Sequence, residues 1–221
     1  QGDQSNLSTI SDRFIKNKVN LVLAIATPAA QSIAGKTTEI PILGTAITDY
    51  VSAKLVNSNE APGTNVSGTS DMNPIKEQID LLVKLVPNAK TVGVLYTSSE
   101  DNSILQAKIA REAIEALGLK YVEVTVSSTN DVQQATQSIV GQCDAIYIPT
   151  DNTFASAMPI VNGVTVQSKT PVICGEAGMV EGGGLATLGI NYRDLGYQTG
   201  LMAVKVLKGE AKPSDMPIET A

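Results

Sequence analysis

Eight short runs rich in Val and Ile recur along the chain, and turn residues follow them. They read NLVLAIA (20–26), IPILGTA (40–46), TNVSGTS (64–70), KTVGVLY (90–96), YVEVTVS (121–127), DAIYIP (144–149), TPVICG (170–175) and GLATLGI (184–190). Several are apolar nearly throughout, the pattern of a parallel strand covered on both faces. Amphipathic helical segments lie between them. In NPIKEQIDLLVKLV, Ile75, Ile79, Leu82 and Val83 share a face behind Asn73 and Pro74, and Leu105, Ile109, Ala113 and Leu117 repeat the spacing before Gly118. Val132, Ala135 and Ile139 do so before Gly141, a helix from about Asp194 ends at Gly209, and Leu7, Ile10 and Phe14 mark a further helix at the start. Alternating strands and helices predict an α/β fold with parallel sheets and right-handed crossovers. A closed eight-stranded barrel is disfavoured, because such barrels typically take about 250 residues and the stretch 45–63 is irregular and polar. Two open sheets are expected, with a change of character near SGTSDMNP.

Composition narrows the function. The chain has 221 residues and a formal net charge of −6, which argues against a binder of phosphate backbones, and no nucleic-acid partner is expected. There is no His, so Ser/His/Asp and Cys/His catalytic arrangements and every His-containing metal site are excluded. No run approaches the roughly 18 apolar residues of a membrane span, and the opening QGDQSNLS reads as the edge of something cut. Cys143 opens one expected strand and Cys174 closes another, so the pair is read as two small buried hydrophobes rather than a disulfide.

In open parallel sheets, ligands sit beyond the carboxyl ends of the strands. Here nearly every strand ends in a short polar group: Thr27 with Ala29 and Ala30 in TPAAQ, Thr48 and Asp49 in ITDY, Ser70 and Asp71 in TSD. Asp151 and Asn152 in PTDN, Glu176 in GEAG, and Asn191 after the last run continue the series. Small Ala29 and Ala30 would let a ligand approach helix N-terminal amides, a seat for a carboxylate. The same residue types are also the preferred helix N-caps, and for any single one capping is the commoner job. Four carboxylates at converging strand ends repel one another unless a cation, a donor or wide spacing intervenes, and a ligand ammonium would supply the cation. A metal is the rival explanation, but the acids sit on separate loops without the dense spacing of an EF-hand, and none is expected. The glycine-rich EGGGL precedes a strand and is read as a turn rather than a dinucleotide loop, so no cofactor is expected. Tyr96 could present its ring to a cleft or simply pack at a sheet edge.

The segments LVLAIATPAAQ, ILGTAITDYVSAKLV, APGTNVSGTSDMNPIKEQIDLL, VGVLYTSSEDNS, DAIYIPTDNT and GINYRDLGYQTG, in that order, resemble the ABC transporter substrate-binding lipoproteins of the TrpX-like group. That resemblance covers essentially the whole chain. It implies two Rossmann-like lobes of the type I periplasmic-binding-protein fold that close on a small ligand, with an aromatic amino acid favoured. The expected partner is a membrane permease, the expected location extracytoplasmic, periplasmic or lipid-anchored, and the expected state monomeric. The first lobe would take residues 1–72 plus 187–209, the second 73–186, with 210–221 a tail toward the hinge. Thr27, Ala29, Ala30, Thr48, Asp49, Ser70 and Asp71 would line the first lobe, Tyr96, Asp151, Asn152 and Glu176 the second, and Asn191 the return. Helix amides after Thr27 with the Thr48 or Ser70 hydroxyl would receive an α-carboxylate, and Asp151 or another of the acids the α-ammonium, with Asn152 capping its helix while Asp151 faces the ligand. Relatives of this group carry further segments before QGDQSN and after PIET, so an incomplete first lobe is expected. The effector-binding core of a transcription regulator shares the fold and is the alternative; a dehydrogenase lacks its strand-GxGxxG-helix unit here.

Overall fold

The computed structural model describes residues 4–220. Contacts divide the chain into two compact units, one formed by residues up to Met72 with those from Asn191 onward, the other continuous from Asn73 to Ile190. The first unit opens with α1 (Leu7–Lys16), β1 (Val22–Ile25), α2 (Thr27–Ala34), β2 (Ile42–Ile47) and β3 (Val66–Ser70). The second runs α3 (Ile75–Leu85), β4 (Thr91–Thr97), α4 (Asp101–Ala116), β5 (Lys120–Val126), α5 (Val132–Val140), β6 (Ala145–Ile148), α6 (Asn152–Ser168), β7 (Val172–Cys174) and α7 (Ala177–Glu181). The chain then returns to the first unit with α8 (Tyr192–Leu207) and β8 (Glu219–Thr220).

The second unit is a parallel sheet of order β5-β4-β6-β7. Its strands are apolar nearly throughout because both faces are covered. Along β6, Ile146 and Ile148 join one core with Phe154, Met158 and Val161 of α6 and Ile139 of α5. Ala145 and Tyr147 point the other way, into a core with Ile75, Ile79 and Leu82 of α3 and Ala110 and Ile114 of α4. The period-2 alternation of a strand thus meets a helix stripe on each side.

The first unit holds a parallel sheet of order β1-β2-β3-β8. Val22, Ala24, Ile42 and Val66 pack with Ala30 and Ile33 of α2 on one face. Leu43 packs with Met202 and Ala203 of α8 on the other. Among the described residues β1 is bonded to β2 alone, and its alternate residues Leu23 and Ile25 are 55% and 68% exposed. The irregular stretch after β2 buries Tyr50 completely, and its hydroxyl donates to the carbonyl of Thr69 at 3.0 Å. Gly44 and Gly68, paired across β2 and β3, leave the slot for it.

Three expectations about elements are corrected. The run 184–190 is not a strand: Leu185 N–H donates to the Val172 carbonyl and Cys174 N–H to the Ala186 carbonyl, but the pairing is the single bridge of Ala186 with Ile173, because β7 is only three residues long. Residues 187–190 lie in the second unit, where the Leu188 carbonyl accepts from Gln78 Nε2 at 2.8 Å. Residues 210–220, expected as a tail toward the hinge, are part of the first unit: β8 pairs with β3, and the Ser67 hydroxyl donates to the Met216 carbonyl at 2.6 Å. Cys143 and Cys174 are free thiols, and burial raises both pKa values, to about 11 and about 12.

Candidate functional site

In each unit the polar strand ends gather at the carboxyl edge of a parallel sheet. Hydrogen bonds knit those of the first unit together. The Ser70 hydroxyl donates to the Thr48 carbonyl at 2.8 Å, Asp71 N–H to the Ile47 carbonyl at 3.1 Å, and the Tyr192 hydroxyl to Asp71 Oδ2 at 2.8 Å. Asp49 accepts the Ser52 N–H and hydroxyl on Oδ1, at 2.7 and 2.8 Å, which closes a turn. Two alanines at this edge have positive φ: Ala26 (φ 75°, ψ 154°), between β1 and α2, and Ala46 (φ 54°), where the β2–β3 register shifts. Such backbone costs on the order of 1–3 kcal/mol per residue and clusters at functional sites.

The TPAAQ reading needs revision. Ala26 occupies the N-cap of α2, Thr27 is the helix's first residue, and Thr27 and Ala30 are buried. The Ala30 amide is also spoken for, donating to the Ala26 carbonyl at 3.2 Å. Ala29 is half-buried. Pro28 has no N–H, so Thr27 and Ala29 carry the amides of the first turn.

In the second unit, Tyr96 is the last but one residue of β4 and its hydroxyl donates sideways to Glu123 Oε2 at 3.3 Å, an atom that Tyr121 also reaches. Burial, then the Glu123 charge, raise the Tyr96 pKa. Glu176 caps α7, taking Gly178 N–H at 2.6 Å and Met179 N–H at 2.8 Å. Asn191, exposed at the start of α8, takes the amides of Arg193 and Asp194.

At the start of α6 the expected roles are reversed. Asp151, not Asn152, is the N-cap, with Oδ1 accepting Phe154 N–H at 2.8 Å. Its carboxylate also accepts Thr97 N–H at 2.7 Å, the Thr97 hydroxyl at 2.8 Å and the Ser103 hydroxyl at 2.7 Å. With 1% of its surface exposed, Asp151 is enclosed by its own unit. Sequence reading missed the second member of this cluster, Glu100, which is fully buried. Glu100 accepts the N–H and Nδ2 of Asn152, at 3.1 and 2.7 Å, and the N–H and hydroxyl of Thr153, at 3.1 and 3.0 Å. Asn102 Nδ2 adds a fifth donor at 3.2 Å. Burial first, then the Glu100 charge, push the Asp151 pKa up to about 6, against the opposing pull of its hydrogen bonds. The only signal in the sequence was an acid three residues beyond a polar strand end, in YTSSED.

Among the described residues no group of three or more His, Cys, Asp or Glu could hold a metal, and no helix is long and apolar enough to cross a membrane. What both edges offer is hydroxyls, amides and carboxylates without a strong nucleophile beside a base. That suits the binding of a small polar molecule.

Comparison with known proteins agrees over the whole length. The family described as ABC transporter substrate binding protein matches residues 1–221. A tyrosine-binding protein of Clostridioides difficile (strain R20291) is 42% identical over 220 residues, which is 100% of this chain and 64% of that relative. The chain therefore spans less than two thirds of that relative's length. Among solved structures, the ABC domain in complex with L-Trp from Streptococcus pneumonia is 44% identical at a TM-score of 0.96, over 99% of this chain and 74% of that one. The ligand-free, open structure of a substrate binding protein with adhesive properties from Clostridium difficile is 47% identical at a TM-score of 0.69, with 99% and 74% covered. The two parallel-sheet units have the type I periplasmic-binding-protein fold, and by the match of its whole length the chain belongs to the ABC transporter substrate binding proteins.

Proposed function

We propose that this chain binds an aromatic amino acid outside the cytoplasmic membrane and hands it to the permease of an ABC importer, with no chemistry of its own. The observation that carries the reading is the whole-length likeness to a tyrosine-binding protein and to a domain holding L-Trp, on a chain whose strand ends are polar in both units. A match to the transporter family along the entire chain also favours this reading over the effector core of a transcription regulator.

In the first unit, the amides of Thr27 and Ala29 with the Thr48 and Ser70 hydroxyls are proposed to meet the α-carboxylate. Asp151 is the wrong acid for the α-ammonium, because both its oxygens already accept two hydrogen bonds each inside the protein. Asp49 and Glu176 are half-buried and take that role better, with Asp71 held ready by Tyr192. Tyr96, Asn152 and Asn191 are proposed to shape the remaining walls, while Ala30 and Asp151 support them from behind.

A thermal-shift screen of the twenty amino acids tests this. A ligand at 100 times its Kd adds about 2.7 kcal/mol, so tyrosine, tryptophan or phenylalanine is expected to raise Tm well above the other amino acids. The deaminated analogue of the best ligand is expected to lose most of that shift. No response to any aromatic amino acid would overturn the ligand class.

A further inference from the structure

Glu100 and Asp151 cross-brace two neighbouring loops. Glu100, on the loop between β4 and α4, caps α6 by accepting the Asn152 and Thr153 amides, one on each oxygen. Asp151, on the loop between β6 and α6, reaches back to Thr97 at the end of β4 and to Ser103 in α4. Each loop thereby supplies the acceptor that the other needs. Both carboxylates are buried, and among the described residues no Lys or Arg is paired with either.

Two like charges in a buried cluster with no cation are costly, and the cheapest relief is a proton on one of them. The donor sets of the two differ in what they let a proton do. A protonated carboxyl must donate, so one of its neighbours must turn into an acceptor; a hydroxyl can do this and an N–H cannot. Asp151 has a hydroxyl on each oxygen, Thr97 Oγ1 on Oδ1 and Ser103 Oγ on Oδ2. Glu100 Oε2 faces only N–H donors, from Asn152 and Asn102, and Oε1 accepts the Thr153 N–H beside the Thr153 hydroxyl, so Glu100 has one hydroxyl where Asp151 has two.

We propose that this pair is a proton-storing clasp: Glu100 is the positioning residue for the start of α6, while Asp151 takes up a proton in mildly acidic solution by turning the Ser103 or Thr97 hydroxyl into an acceptor. The ligand-side loops of the second unit then stay joined as the surroundings acidify. The charged groups around Asp151 are consistent with this. Glu100 is the charged neighbour acting on it, and Asp101 stands in the first turn of α4. Asp131, before α5, is tied to Ser127 and Ser128. Neither α5 nor α6 carries a charged side chain.

Every residue of the clasp lies in the second unit, so it works whatever ligand the protein takes. Its test is a carboxyl-carbon NMR titration of the full chain without ligand, from about pH 4 to 8. Asp151 is expected to titrate with a midpoint near 6, with the Thr97 and Phe154 amides following it. In Glu100→Gln the repulsion is gone, and the Asp151 midpoint is expected to fall by about one pH unit or more. An Asp151 midpoint at or below about 4, the ordinary range, would overturn the clasp, as would an unchanged Asp151 midpoint in a folded Glu100→Gln. Should that variant not fold, the wild-type titration decides alone.

Discussion

Gly44 and Gly68 show how closely single residues govern the first unit. A Cβ on Gly68, where φ is +142°, would stand 2.0 Å from the Gly44 carbonyl and 2.5 Å from the Tyr50 hydroxyl, and backbone cannot give way as a side-chain tip can. Gly68→Ala is therefore expected to cost about 3 kcal/mol or more in urea denaturation, at the severe end for single substitutions. Tyr50→Phe keeps the ring and loses only the bond to Thr69, an expected loss of about 1–2 kcal/mol. Comparable losses for the two would show that the slot is not tight. The same scale explains what the sequence hid about the site. Polar strand ends were legible as a set, but whether each side chain caps or faces a ligand depends on partners far along the chain. Asp49, Glu176 and Asn191 proved to bond their own turns, within three residues. Glu100 and Asp151 instead bond across about fifty residues, and no local pattern announces that.

At the scale of elements, the strongest strands were readable because burial on both faces leaves them apolar throughout, as in β4 and β6. β8 was not, because two residues carry no period. The misread run 184–190 fails for a related reason, since its pairing with β7 stops at one bridge. Gln78 of α3 is what fastens that segment. Its Nε2 donates to the carbonyls of Gly175 and Leu188, at 3.1 and 2.8 Å, and its Oε1 accepts the buried Tyr147 hydroxyl at 2.6 Å. One side chain thus joins α3, β6, the end of β7 and the chain leaving the second unit. Gln78→Leu strands three polar groups and is expected to cost about 3 kcal/mol or more. Tyr147→Phe alone should cost about 1 kcal/mol. Combined with Gln78→Leu it should cost almost nothing further, because the hydroxyl it removes is already orphaned. Strict additivity of the two losses would rule out their coupling.

For the whole molecule, the chain's order makes the two units unequal. The second is one continuous segment, Asn73 to Ile190, with helices on both faces of its sheet and a core on each side. Its ends are tied inward, Asn73 Nδ2 to the Thr150 hydroxyl at 3.1 Å and the Leu188 carbonyl to Gln78. The first unit takes β1 to β3 from one segment and α8 with β8 from another, and its edge strand β1 leaves Leu23 and Ile25 largely exposed. A segment that holds its own core and closes its own ends meets the conditions for folding alone. Residues 73–190 expressed by themselves are accordingly expected to unfold in one cooperative urea transition, with a slope of roughly 1–3 kcal/mol per molar. That fragment should also retain the raised Asp151 midpoint, because every partner of the Glu100–Asp151 cluster lies within it. Because Asp151 binds its proton more tightly folded than unfolded, its contribution to stability falls as pH rises from about 4 to about 6. The fragment should then lose denaturation midpoint across that window, and a midpoint that instead rises steadily from acid to neutral pH would place the dominant titration elsewhere.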